Sequence, residues 1–174
     1  MLLLSTACTS QPTTTPTQTM SSPAARKLRA PETLLGLPKS MDREGIGLAQ
    51  RHLDKLKREV GQPTSAIGWP YANKGPDADA VLISGASGTI NDQQGAIERA
   101  LQPYRIDSHE AVDAGELGGT ARCGRGRSDE VFLIVCAWAD DQTLGVVVFL
   151  SSRPQADRTT QFLEVRKAVT EPSA

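Results

Sequence analysis

Val131-Phe-Leu-Ile-Val-Cys136-Ala-Trp138-Ala139, then Asp140-Asp-Gln-Thr143, then Leu144-Gly-Val-Val-Val-Phe-Leu150 is the stretch that decides the fold. Branched and aromatic side chains fit a pleated surface. Each apolar run is too short to cross a bilayer as a helix, which takes about 20 residues. Neither run alternates polar with apolar, so both faces of each strand are expected to be buried, as in the centre of a sheet covered on both sides. Phe132, Ile134, Cys136 and Trp138 fall on one face, Leu133, Val135, Ala137 and Ala139 on the other. Asp140–Thr143 supplies a polar hairpin loop. A buried helix is the competing reading, and the branched residues and the Asp-Asp break argue against it.

The chain has 174 residues and a net charge of −1, which fits one modest domain with extensions. Near neutrality gives no general reason to expect nucleic acid or an anionic membrane surface as a partner. Aromatic residues make up 4%, too few for a base-stacking platform.

The chain opens Met1-Leu-Leu-Leu-Ser-Thr-Ala-Cys8. A secretory signal has a basic start and an apolar core before its cleavage site. Here the core is only Leu2–Leu4 and no basic residue precedes it; the expectation is a truncated signal, and the alternative is an ordinary flexible N-terminus with a chance cysteine. Leu4-Ser-Thr-Ala-Cys8 resembles a bacterial lipobox, with Ser5 where that motif usually has Leu. The resemblance implies cleavage before Cys8 and a diacylglyceryl anchor on it, sufficient for stable membrane attachment. Ser10–Pro23 is nearly all Ser, Thr, Gln and Pro and cannot bury a core. The expected organisation is a signal remnant over 1–8, a disordered tether over 9–30 closed by Arg26, Lys27 and Arg29, a single domain over 31–170, and a tail over 171–174.

Within the domain, Glu32–Pro38 reads as a short strand. Glu44–Val60 reads as an amphipathic helix, with Ile46, Ala49, Leu53, Leu56 and Val60 on one stripe, Ser40 or Asp42 as cap, and Gly61 and Pro63 as stop. His52 borders that stripe. Ser65–Tyr71 is an edge or short strand because of Pro70, and Trp69 and Tyr71 are read as core packing. After a turn at Lys74–Asp79, Ala80–Gly85 is a strand and Ala86-Ser87-Gly88 a loop. Asn91 or Asp92 caps a helix over Gln93–Tyr104, shortened by Pro103. Ile106–Thr120 holds an irregular strand, and Ala156–Val169 is a third helix. Three strands in succession with short connections favour antiparallel pairing. The expected class is α+β, a mostly antiparallel sheet with about three packed helices.

With Cys8 assigned to lipid, Cys123 and Cys136 remain as a pair in a compartment that permits disulfides. A bridge over this loop stabilises by about 3 kcal/mol on the chain-entropy model. It requires the Cα atoms within about 7 Å, hence a turn centred near Asp129, with Gly124–Glu130 as a wide loop or ragged ribbon. Two free buried cysteines are the alternative.

Ala121-Arg-Cys123, Val135-Cys136-Ala-Trp138-Ala-Asp140 and Thr143-Leu-Gly145-Val-Val together resemble a group of uncharacterised actinobacterial lipoproteins and membrane-anchored proteins. The resemblance implies an extracytoplasmic, lipid-anchored location and the Cys123–Cys136 bridge, and it carries no activity. It also implies that Trp138 packs beside the bridge and Asp140 shapes the turn.

Gly85-Ala-Ser87-Gly-Thr is near a nucleophile elbow, but its last glycine falls one place early, and a triad needs a His brought to Ser87. Arg122, Arg125 and Arg127 are candidates to grip a phosphate or carboxylate, and Trp138 and Asp140 are candidate contacts. Gly124-Arg-Gly-Arg-Ser completes no nucleotide motif, and Asp140-Asp141 lacks calcium-loop spacing. No catalytic motif is complete and no cofactor or metal is expected. Three readings follow: a membrane-tethered module binding an envelope protein or small ligand, a structural envelope protein without a pocket, and a hydrolase using Ser87. An open face on Phe132–Trp138 would favour the first, and coverage of both faces the second.

Overall fold

A computed structural model describes residues 25–75 and 79–172. In chain order the elements are β1 (Arg26–Leu28), β2 (Thr33–Leu34), β3 (Leu37–Pro38), α1 (Arg43–Glu59), β4 (Gly61–Ala72), β5 (Ala80–Thr89), α2 (Gln93–Leu101), β6 (Ile106–Val112), β7 (Thr120–Ser128), β8 (Val131–Ala139), β9 (Thr143–Ser151), α3 (Thr159–Val169) and β10 (Thr170–Pro172). The class is α+β. Six strands form one antiparallel sheet in the order β4-β5-β9-β8-β7-β6.

The two apolar runs, β8 and β9, are the central strands of this sheet, and their two faces feed two separate cores. Val135, Ala137, Ala139, Val146 and Val148 pack with Leu53 and Leu56 of α1 and Ile97 and Leu101 of α2. Ile134, Cys136, Trp138, Val147 and Phe149 pack with Phe162, Val165 and Val169 of α3 and with Leu28 and Leu34 near the chain start. Continuous apolar strands thus occur because both faces meet other elements.

The helices begin where short polar side chains can hold free N–H groups. Asp42 accepts from Gly45 N at 2.7 Å ahead of α1, and Asp92 accepts from Gly95 N at 2.9 Å ahead of α2. α2 stops at Leu101, before Pro103.

Several expectations are corrected. Ala86-Ser87-Gly88 is not a loop: β5 runs on to Thr89, with Ser87 paired to Ser65 and Thr143. Gly124–Glu130 is neither wide loop nor ragged ribbon, because β7 stays in register with β8 from Thr120↔Ala139 to Ser128↔Val131. A tight connection at Asp129, whose φ is 52°, closes that ladder. Glu32–Pro38 is a tiny hairpin turning at Leu35 and Gly36, both with positive φ. The tether boundary at residue 30 and the tail boundary at 171 both move. Arg26–Leu28 pairs with Thr170–Pro172, and Leu28 is buried. The signal remnant, Cys8 and the tether up to residue 24 lie outside the described residues, as do residues 76–78 of the Lys74–Asp79 turn.

Candidate functional site

The central hairpin has two ends with opposite character. At its turn, Asp140 gathers hydrogen bonds from three parts of the chain. Its Oδ1 accepts from the backbone N–H groups of Gln142 and Thr143, each at 2.8 Å, which shapes the turn. Its Oδ2 accepts from Thr143 Oγ1 at 2.7 Å, from Arg166 Nη2 on α3 at 2.9 Å and from Arg26 Nη1 on β1 at 3.0 Å. Trp138 Nε1 donates to the same Thr143 oxygen at 3.1 Å. Arg26 and Arg166 also donate to the carbonyls of Leu117 and Ala114 in the loop before β7. Burial lowers the Arg166 guanidinium from its ordinary value, and Asp140 works against that fall.

Trp138 lies across Gly145. A Cβ on Gly145 would sit 2.1 Å from the indole, so only glycine fits. Trp138, Asp140, Thr143 and Gly145 therefore interlock, with the Arg166 guanidinium 5.9 Å from the Trp138 ring centre. Trp138 is 0% exposed and Asp140 3%. As candidate ligand contacts both are corrected: their polar atoms are taken by the fold itself.

The disulfide expected from the sequence is present. Cys123 and Cys136 face each other across β7 and β8 and are bonded. Cys136 is in the same core cluster as Trp138.

The three arginines of β7 do not converge. Arg122 pairs across from Ala137, on the face of α1 and α2, whereas Arg125 pairs with Ile134 and Arg127 with Phe132, on the opposite face. Arg122 reaches His109 at 3.3 Å, Arg125 donates to Gln155 O, and Arg127 donates to Asp129 O and stacks on Phe132. A shared anion grip is thereby corrected.

Ser87 is fully buried and hydrogen-bonds Ser65 and Thr64. His109 lies on β6, four strands away in the sheet, or about 19 Å at the usual strand spacing. His52 is occupied elsewhere. The hydrolase constellation is not assembled.

The other end of the hairpin is open. α1 crosses β4 and β5, and α2 crosses β8 and β9. Beyond them a groove of about 730 Å3 exposes the sheet, within the range of small-molecule sites. Leu82, Leu133, Val148 and Leu150 form its floor, kept side by side by the Leu82↔Val148 and Leu133↔Leu150 pairs. Leu48 and His52 of α1 form one wall, Tyr104 and Arg105 stand past the end of α2, and Asp129 and Glu130 at the β7–β8 tip face them.

One polar pair sits in this apolar wall. Tyr104 Oη and His52 Nδ1 are 2.6 Å apart, with the rings edge to face. Burial, with Lys55 and Arg51 adding to it, pulls the His52 imidazole down to about 4. The ring is thus neutral at physiological pH, and it offers its second nitrogen as an uncharged hydrogen-bonding group. The sequence placed His52 at the border of the helix stripe but gave no sign of Tyr104 as its partner. Arg166 was also missed, although it stands one turn beyond Phe162 on the inward side of α3.

Among protein-family models, curated proteins and solved structures, none matches this chain. No helix of the described residues is long and apolar enough to cross a membrane.

Proposed function

We propose that this chain is the head of an extracytoplasmic, membrane-tethered protein, anchored through a lipid on Cys8, that binds a ligand or partner segment in the groove at the open end of β8 and β9. It acts by binding rather than catalysis. The observation that carries the reading is the groove itself: an apolar floor where Leu133 and Leu150 stay partly uncovered, at the end of central strands that are buried on both faces from Ile134 to Ala139 and from Thr143 to Phe149. Location is supported by the Cys123–Cys136 disulfide, which persists where glutathione does not reduce it. It is supported too by the lipobox-like start and the likeness to the actinobacterial lipoprotein group.

A single experiment tests both halves. Protein isolated gently from its native envelope is weighed by mass spectrometry before and after denaturation. A covalent lipid mass on Cys8 survives denaturation, whereas a groove occupant is lost with it. The occupant is also absent from Leu48→Arg, which fills the groove with a charged side chain. An unmodified Cys8 defeats the anchor, and occupancy unchanged in Leu48→Arg defeats the groove.

The structural envelope reading has one observation in its favour: both faces of Ile134–Trp138 are covered, by α1 and α2 on one side and by α3 and β1 on the other. It predicts no occupant in either protein.

A further inference from the structure

We infer that the groove holds a single-chain amphiphile with an anionic head, such as a fatty acid or a lysophospholipid. Its tail lies on Leu82, Leu133, Val148 and Leu150, and its head meets a basic rim made by Arg51, Lys55 and Arg105. This rests on the groove being the binding site, and it names the occupant.

The rim follows from helix geometry. Leu48 and His52 are one turn apart and line the groove. Arg51 and Lys55, also one turn apart, form the next row outward on α1, and both are exposed. Arg105, past the end of α2, is exposed at the mouth. Among the described residues, none of these three cations pairs with a carboxylate. The acids at the mouth, Asp129 and Glu130, stand on the β7–β8 tip. The hairpin side also carries Arg127, whose guanidinium is held by Asp129 O and the Phe132 ring, so the mouth has three free cations on the helix side and two acids with one tied cation on the hairpin side. An anionic head is drawn toward α1 and away from the hairpin tip.

The interior sets the rest of the ligand. A floor of four aliphatic side chains matches an alkyl chain and leaves a polar ligand's groups unpaired. The His52–Tyr104 pair supplies a polar handle in the wall, and the uncharged His52 hydrogen-bonds a head-group oxygen without demanding a second charge. Desolvation of the floor supplies affinity, and the rim sets orientation and the preference for negative charge.

The test uses the full chain in equilibrium dialysis against labelled palmitate, lysophosphatidylglycerol, the uncharged monopalmitin, and acetate. Palmitate and lysophosphatidylglycerol are expected to bind more tightly than monopalmitin, and acetate not to bind. The double variant Lys55→Glu/Arg105→Glu, both at exposed positions, should weaken the two anions by about tenfold while changing monopalmitin by less than about twofold. If only palmitate or only the lysophospholipid binds, the head is a carboxylate or a phosphate respectively, and the class stands. Equal binding of palmitate and monopalmitin, or indifference of palmitate to the charge reversals, overturns the anionic head while leaving the groove intact. Palmitate binding that survives Leu48→Arg places the site elsewhere and removes the groove as well. No amphiphile bound at all overturns the inference, and a native occupant absent from Leu48→Arg would then still uphold the groove.

Discussion

The two ends of the β8–β9 hairpin are about 25 Å apart along the strands and solve opposite problems. At the turn, buried charge is locked by partners from β1, α3 and the loop before β7. At the open end, aliphatic side chains of the same sheet face a gap between α1 and the β7–β8 tip. The residues that look most distinctive in the sequence, Trp138 and Asp140, belong to the closed end, while ordinary leucines line the open one. Distinctive residues can mark the part of a fold hardest to build rather than the part that meets a ligand.

The sharpest way to break this contrast is Asp140→Ala. It strips five hydrogen bonds and leaves Arg166 charged and buried without its carboxylate. A loss of about 3–5 kcal/mol is expected in urea unfolding. A loss under about 1 kcal/mol would show that the closed end is not what holds these elements together. Reduction of the Cys123–Cys136 bridge, whose cysteines are 13 residues apart, is expected to cost about 3 kcal/mol. Unfolding with and without dithiothreitol reads this directly. Gly145→Ala should cost about 1–3 kcal/mol, because the new methyl collides with Trp138. Pairing it with Trp138→Phe should recover part of that loss.

The open end responds more weakly and to a different variable. His52 has an ordinary value of 6.5 and about 4 in the fold, so the unfolded chain takes up its proton first. Stability from the neutral ring is therefore complete above about pH 6.5 and lost as pH falls toward 4. Because the ring is only partly buried, the loss is about 1 kcal/mol rather than the full linkage value. His52→Phe should flatten unfolding free energy over that window. An unchanged slope would assign it to the carboxylates.

Much of the fold was legible because its signals are local. The unbroken apolar runs required cover on both faces, and the 3.6-residue stripe of Ala49, Leu53 and Leu56 marked α1. The sum of Cys123 and Cys136 set the turn of β7 and β8 near Asp129. The closed end was legible only in part. Asp140 shapes its own turn through neighbours, but its charge partners lie 26 and 114 residues away. Arg26 belonged to a stretch whose composition resembled a linker, and β1 exists only because β10 arrives beside it. The groove was not legible at all. Leu82, Leu133 and Leu150 have the pattern of core residues, and a gap between two helices and a hairpin leaves no trace in periodicity.

The most direct test of the contrast is a two-dimensional NMR titration of the full chain with palmitate. The two tryptophans give separate indole N–H signals, and Trp138 reports the closed end through its bond to Thr143. The account predicts shifts at Leu48, His52, Leu133 and Leu150 with the Trp138 indole signal unmoved. A moving Trp138 signal with a silent groove would contradict it.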